Sequence, residues 1–203
     1  MIEALLELKR STVRFVIISV VPNRIAYKIK NLSQELSGLS GSKNALLYPP
    51  HITIRTGAIV PIDNIDAFVL AFRKDVDKFN AKVIYQEPLT ISEIDFINYT
   101  DEGQQKHLIA YRVRKTEWLV ELNKTLDESN EYKKTMYKTF HPHISLAYGD
   151  LSTFYFNKLK DHILDNKEHF CKSLSFDIND VSLFYQLDNG YWKEYCSFSL
   201  REK

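Results

Sequence analysis

The chain has 203 residues, 44% of them hydrophobic and 13% aromatic, and its 27 Lys and Arg against 26 Asp and Glu leave a net charge of +1. A chain of this length can bury a core without staples, as one domain or two small fused lobes, and its aromatic content excludes a disordered polymer. The near-zero charge excludes the basic excess with which proteins grip long duplexes, and favours a small or short ligand.

Only two cysteines occur, Cys171 and Cys196. That is too few for a disulfide framework or a four-thiolate zinc site, so both are expected reduced and the protein cytoplasmic. The opening MIEALLELKR is broken by Glu3 and Glu7 and is not expected to act as a signal peptide. No run approaches the ~20 apolar residues of a membrane span. Glycine is scarce, at six residues, and the segment 38–43 (GLSGSK) misses the spacing of a phosphate-binding loop.

In chain order, residues 14–21 (RFVIISVV) form a β-branched apolar run stopped by Pro22, which predicts a buried strand. Asn23 is placed to cap a helix over 24–36, with Ile25, Ile29, Leu32 and Leu36 on one face. After a Gly/Ser loop, Pro49 and Pro50 introduce a second strand, HITIR. Pro61 and Asp63 open another helix, carrying Ile65, Val69, Phe72, Val76 and Phe79 at helical spacing. Residues 82–85 are a strand candidate, and 89–98 read as extended. The scheme then begins again: strand 107–113, amphipathic helix 116–127, strand 140–148 and helix 153–166. Two last strands, 181–187 and 191–200, flank Asp188-Asn189-Gly190, a strong turn signal.

The halves share more than rhythm. Pro50-His51-Ile52-Thr53-Ile54 and Pro142-His143-Ile144-Ser145-Leu146 make the same statement, PHI[TS][IL]. Thirty residues separate Val21 from His51, and thirty separate Val113 from His143. A period of 92 residues is too long for a solenoid and suits two similar lobes facing each other across a groove. On a strand, i and i+2 share a face, so His51 lies beside Thr53 and His143 beside Ser145. The intervening apolar residues point into each core. Two imidazoles and two hydroxyls around one phosphate are what metal-free phosphodiester transfer needs. One histidine takes a proton from the attacking hydroxyl or water and the other protonates the departing oxygen. The hydroxyls steady the non-bridging oxygens. One H-x-[ST] alone signals nothing; two copies with matched flanks and matched lead-ins do.

At these residues the sequence resembles the two-histidine (2H) phosphoesterase superfamily, whose mark is a pair of H-x-[ST] motifs. The resemblance runs from the first strand to the strand ending near Leu200. The segments HPHISLAY and YWKEYCSFSL look most like its cyclic-phosphodiesterase branch. It implies an α+β bilobal fold, with an antiparallel sheet and outer helices in each lobe. The chain is then a single bilobal domain over 1–203, with approximate lobes 1–100 and 101–203 and strand exchange between them allowed.

The resemblance further implies catalysis by His51 and His143, phosphate contacts from Thr53 and Ser145, and neither metal nor cofactor. The expected substrate is a 2′-linked or cyclic phosphodiester in a small nucleotide or short RNA, handled by a monomer away from membranes. Arg55 is a further phosphate candidate, against the alternative of a solvated surface arginine. Tyr148, Tyr111 and Trp192 are candidates for base stacking, against ordinary core or rim packing. His141, two residues before His143, could join it on a metal, but no acidic cluster adjoins it. His107, His162 and His169 carry no partner motif. Three readings stand beside the main one: a 2′-5′ RNA ligase, a non-catalytic nucleotide- or RNA-binding module, and a viral enzyme degrading 2′-5′ oligoadenylate or 2′,3′-cyclic GMP-AMP. The last rests on a composition rich in Lys, Ile, Asn and Tyr.

Overall fold

Alternation of apolar side chains along the strands decides this architecture, because each strand has one face to bury. The computed structural model describes residues 11–83, 85–101, 103–127 and 140–200; the N-terminal stretch weighed as a signal peptide lies outside them. The first half runs β1 (Thr12–Val20), α1 (Asn23–Ser40), β2 (His51–Pro61) and α2 (Ile65–Lys82). The second runs β3 (Leu89–Asp101), β4 (Gln104–Val113), α3 (Glu117–Asp127), β5 (His143–Tyr148), α4 (Thr153–Asp165), the short α5 (Lys167–Phe170) and β6 (Leu174–Phe176). The hairpin β7 (Asp180–Gln186) and β8 (Trp192–Ser199) ends it.

Two four-stranded antiparallel sheets result, ordered β2-β1-β7-β8 and β5-β4-β3-β6. The α+β class and the two sheets with outer helices match expectation, but the dividing line does not fall at residue 100. All of β3 belongs to the second sheet, and the chain returns after β6 to add β7 and β8 to the first. The first sheet is therefore completed by chain that is remote in sequence, whereas all four strands of the second come from within residues 89–176.

Val13, Phe15 and Ile17 on β1, and Ile109, Tyr111 and Val113 on β4, join the main core with Ile29, Leu36, Phe72, Phe79, Leu119 and Leu159 of the helices. The opposite face of the first sheet carries a separate small cluster, Val16, Ile18 and Phe184, flanked by Val20, Tyr48 and Trp192. That second face looks onto the other lobe, and β2 lies in contact with β5.

Several local expectations change. Asn23 is the first helical residue rather than the cap; Pro22 precedes it, and its carbonyl receives the amides of Ile25 and Ala26. The helix also runs on through Gly38 to Ser40. Gly41 ends it at φ 77°, its amide on the Ser37 carbonyl at 2.7 Å, a left-handed position that glycine adopts without steric cost. The candidate strand at 82–85 is absent among its described residues: α2 continues to Lys82, and Val83 and Tyr85 are irregular. Ser152 caps α4 by accepting the Tyr155 amide at 3.3 Å.

Candidate active site

Prolines set the two histidines at matched strand starts. Val21 donates its amide to the Pro50 carbonyl at 2.9 Å, and Val113 donates to the Pro142 carbonyl at 3.1 Å. The equal thirty-residue lead-in thus corresponds to one hydrogen bond made twice. From there His51 pairs with Val20 and Thr53 with Ile18, on the face carrying the small apolar cluster. In the other lobe His143 pairs with Arg112 and Ser145 with Ala110. Between them Ile52, Ile54, Ile144 and Leu146 are buried in the core and fix both registers, since a one-residue slip would expose all four.

Each imidazole makes the same contact. His51 Nδ1 lies 2.8 Å from the Pro49 carbonyl, and His143 Nδ1 lies 2.8 Å from the His141 carbonyl. A carbonyl only accepts, so Nδ1 carries the proton and Nε2 is left to exchange protons with a ligand. Burial pushes His51 down to about 4; the Pro49 carbonyl opposes this and the neighbouring His143 reinforces it. His143 is also lowered, by burial first, but Asp95 pulls it back toward the charged form beside the His141 contact. The influence of His143 on His51, and the contact of β2 with β5, put the two imidazoles near one another.

The environment is unequal around the pair. On the first lobe, Tyr48 lies 4.8 Å from His51, ring to ring, and stacks on Trp192 at 4.8 Å and 20°. The Tyr48 and Tyr148 hydroxyls share a hydrogen bond across the lobes. Burial raises Tyr48, and burial together with Tyr99 and Asp150 pushes Tyr148 up to about 12. The Arg14 charge, felt by both tyrosines, opposes those shifts. On the second lobe, Arg112 binds Asp95 through Nε (3.0 Å) and Nη2 and Glu93 through Nη1 (2.5 Å).

Of the other expected site residues, Tyr148 and Trp192 lie at this site. Tyr111 does not. It is 2% exposed and its hydroxyl donates to the Phe170 carbonyl at 2.5 Å, because its position on β4 faces the core and not the groove. Arg55 is also set apart from the His–Thr row. A register irregularity between Thr53 and Arg55 puts Arg55 opposite the core residue Ile17, at 3% exposure, since a bulge breaks the i, i+2 rule. His141 is exposed and serves through its carbonyl. Among the described residues no group of three His, Cys, Asp or Glu could hold a metal ion.

His107 is structural: buried, it bonds Asn98 through Nδ1 at 2.7 Å and Thr153 through Nε2 at 3.0 Å. His162 and His169 meet Glu35 of α1 at 3.1 and 2.9 Å. Sequence reasoning missed Tyr48, Arg14, Asp95, Arg112 and Asp150. Tyr48, three residues before His51, carried a positional signal; the strand neighbours required a register that no short motif contains.

Two facing sheets with one H-x-[ST] strand each define a 2H phosphoesterase. The cyclic phosphodiesterase-like protein family matches residues 20–171, and the chain belongs to that family. No curated protein matches the sequence. Among solved structures, E. coli LigT complexed with NADP+ aligns with TM-score 0.54 and 14% identity, covering 95% of this chain and all of that one. E. coli LigT complexed with 3′-AMP gives 0.53 and 13%, covering 94% and 99%. A structure described as a phosphoesterase gives 0.52 and 14%, over 94% and 99%. These TM-scores, over nearly the whole of both chains, show a shared fold.

Proposed function

We propose that the protein is a metal-independent phosphodiesterase that cleaves a 2′-linked or cyclic phosphodiester in a small nucleotide or short RNA. One observation carries this reading: two imidazoles, each fixed at Nδ1 by a backbone carbonyl two residues earlier, stand beside a hydroxyl residue on neighbouring strands. His51, held neutral by burial, is the base that removes a proton from water. His143, next to Asp95, is the acid that protonates the departing ribose oxygen. Thr53 and Ser145 bind the non-bridging oxygens, and the Tyr48–Trp192 stack with Tyr148 forms the wall for a sugar or base. The nucleotides in the LigT complexes support a ligand of this class.

The step balances without a further reagent. Water adds to phosphorus, one P–O bond breaks, His51 gains a proton and His143 gives one up; solvent restores both. The test is a panel of 2′,3′-cyclic mononucleotides, 2′-5′ and 3′-5′ oligoadenylates and 2′,3′-cyclic GMP-AMP, incubated with the enzyme in EDTA. Turnover of at least one 2′-linked or cyclic member in the chelator is expected. Turnover only after adding zinc or manganese, or none across the panel, would overturn the reading.

A further inference from the structure

Beside the segment that delivers His51 lies a cavity of about 540 Å³. Its walls include Tyr27 and Lys30 from one face of α1, Leu47, Tyr48 and Pro49 from the connection to β2, and Tyr191 from the β7–β8 hairpin. Tyr27 is 69% and Tyr191 52% exposed, so two large rings are presented to solvent over an apolar floor. Tyr48 belongs to both places, lining this cavity while packing against His51 and Trp192. The Trp192 amide reaches the Leu47 carbonyl at 3.4 Å, so the hairpin is tied to the floor. The same helix carries Arg24, Lys28 and Lys30, with no acidic residue before Glu35, and Glu35 is engaged by His162 and His169.

Exposed aromatic rings beside lysine are the elements with which proteins hold single-stranded nucleic acid: bases stack on rings in any sequence while cations meet the phosphates. We infer that this cavity is a subsite for a further nucleotide, so that the substrate is a short oligonucleotide whose reacting end lies at His51 and His143 and whose neighbouring residues pass Tyr48 to Tyr27 and Tyr191. Lys30 meets a phosphate of that extension. This deepens the proposed function and rests on it in placing the reacting end. It chooses among the substrates by length: an oligonucleotide is bound better than a mononucleotide of the same reactive end.

The test compares 2′,3′-cyclic AMP with a triadenylate carrying the same cyclic end. Stacking of one base is worth about tenfold in affinity or more, so KM for the trinucleotide is expected at least about tenfold lower. In Tyr27→Ala and Tyr191→Ala that ratio falls toward one. In Lys30→Gln the log–log salt dependence of trinucleotide binding flattens by about 0.7, one single-strand phosphate contact. Both tyrosines are exposed, and unchanged thermal unfolding checks each fold. In parallel, fluorescence anisotropy of 5′-labelled triadenylate measures binding without turnover. If no substrate is cleaved, the phosphodiesterase reading fails, and loss of labelled triadenylate binding in Tyr27→Ala still supports the subsite. Equal KM for the two lengths, or triadenylate binding unchanged in both tyrosine variants, overturns it.

Discussion

His51 and His143 make matching backbone contacts but sit in unequal fields, and in the proposed mechanism that inequality divides their labour. Only His143 has a carboxylate, Asp95, favouring its charged form; His51 has burial and His143 against its own. Replacing either by Ala is expected to reduce turnover of the natural substrate by about 10²–10⁴. On a nitrophenyl ester, whose leaving group needs no proton, His143→Ala loses far less, whereas His51→Ala loses as much as before. Asp95→Asn lowers the proton affinity of His143, so the basic limb of the pH–rate profile moves to lower pH. Equal losses on both esters would reverse or cancel the assignment. Binding follows the same sign. A bound dianion raises the histidines it touches, so affinity for sulfate, which keeps its charge throughout this range, should grow as pH falls from neutrality toward about 4, by at most about tenfold per pH unit for each proton taken up. Calorimetry in buffers of different ionisation enthalpy measures that uptake directly.

At the scale of elements, the PHI[TS][IL] strands were legible because their alternation is local: each Ile or Leu chooses the core and each His and hydroxyl the groove. The α1 and α2 apolar faces were legible for the same reason, with Ile25, Ile29, Leu36, Phe72, Val76 and Phe79 all buried. Arg55 and Tyr111 were misjudged because a bulge and a sheet face depend on the partner strand, which lies outside any window of sequence. The short β6, three residues long, has too few positions to show a period. Asp150 was invisible as well, since its role is a reach across lobes. It accepts Ser42 Oγ at 2.5 Å and the amides of Lys43 and Asn44 at 2.6 and 3.2 Å, fixing the loop that leads to Tyr48 and His51. Gly149, at φ 78°, makes that reach feasible; a Cβ there would stand 3.1 Å from Asn44 Nδ2. Gly149→Ala should cost about 1–2 kcal/mol for the left-handed backbone, read by chemical denaturation. Asp150→Ala should cost about 1–2 kcal/mol and raise KM, as the Tyr48 wall loses its anchor. Unchanged KM in Asp150→Ala would separate that loop from substrate binding.

For the whole molecule, the return of the C-terminal hairpin to the first sheet carries the largest consequence. The family match ends at residue 171, yet the sheet bearing His51 is completed by β7 and β8, which begin after it. In the order β2-β1-β7-β8, β1 is an internal strand, and β7 covers its second edge from Phe15 to Ile18. The hairpin also supplies Val181, Leu183, Tyr185 and Tyr195 to the main core and Phe184 to the groove cluster. Its end is fastened to the first half: Asn80 Nδ2 donates to the Ser199 carbonyl at 2.9 Å, and Gln86 Nε2 to that of Leu200 at 2.8 Å. Removing four such core side chains forfeits about 6–12 kcal/mol at roughly 1.5–3 each. A domain's whole stability is about 5–15 kcal/mol. A chain ending at residue 178 should therefore show no cooperative thermal transition, although every residue of both H-x-[ST] motifs is still present. Circular dichroism melting of the truncated and full chains measures this. A sharp transition in the truncated chain, with turnover retained, would mean that β1 and β2 hold the His51 site without the returning hairpin.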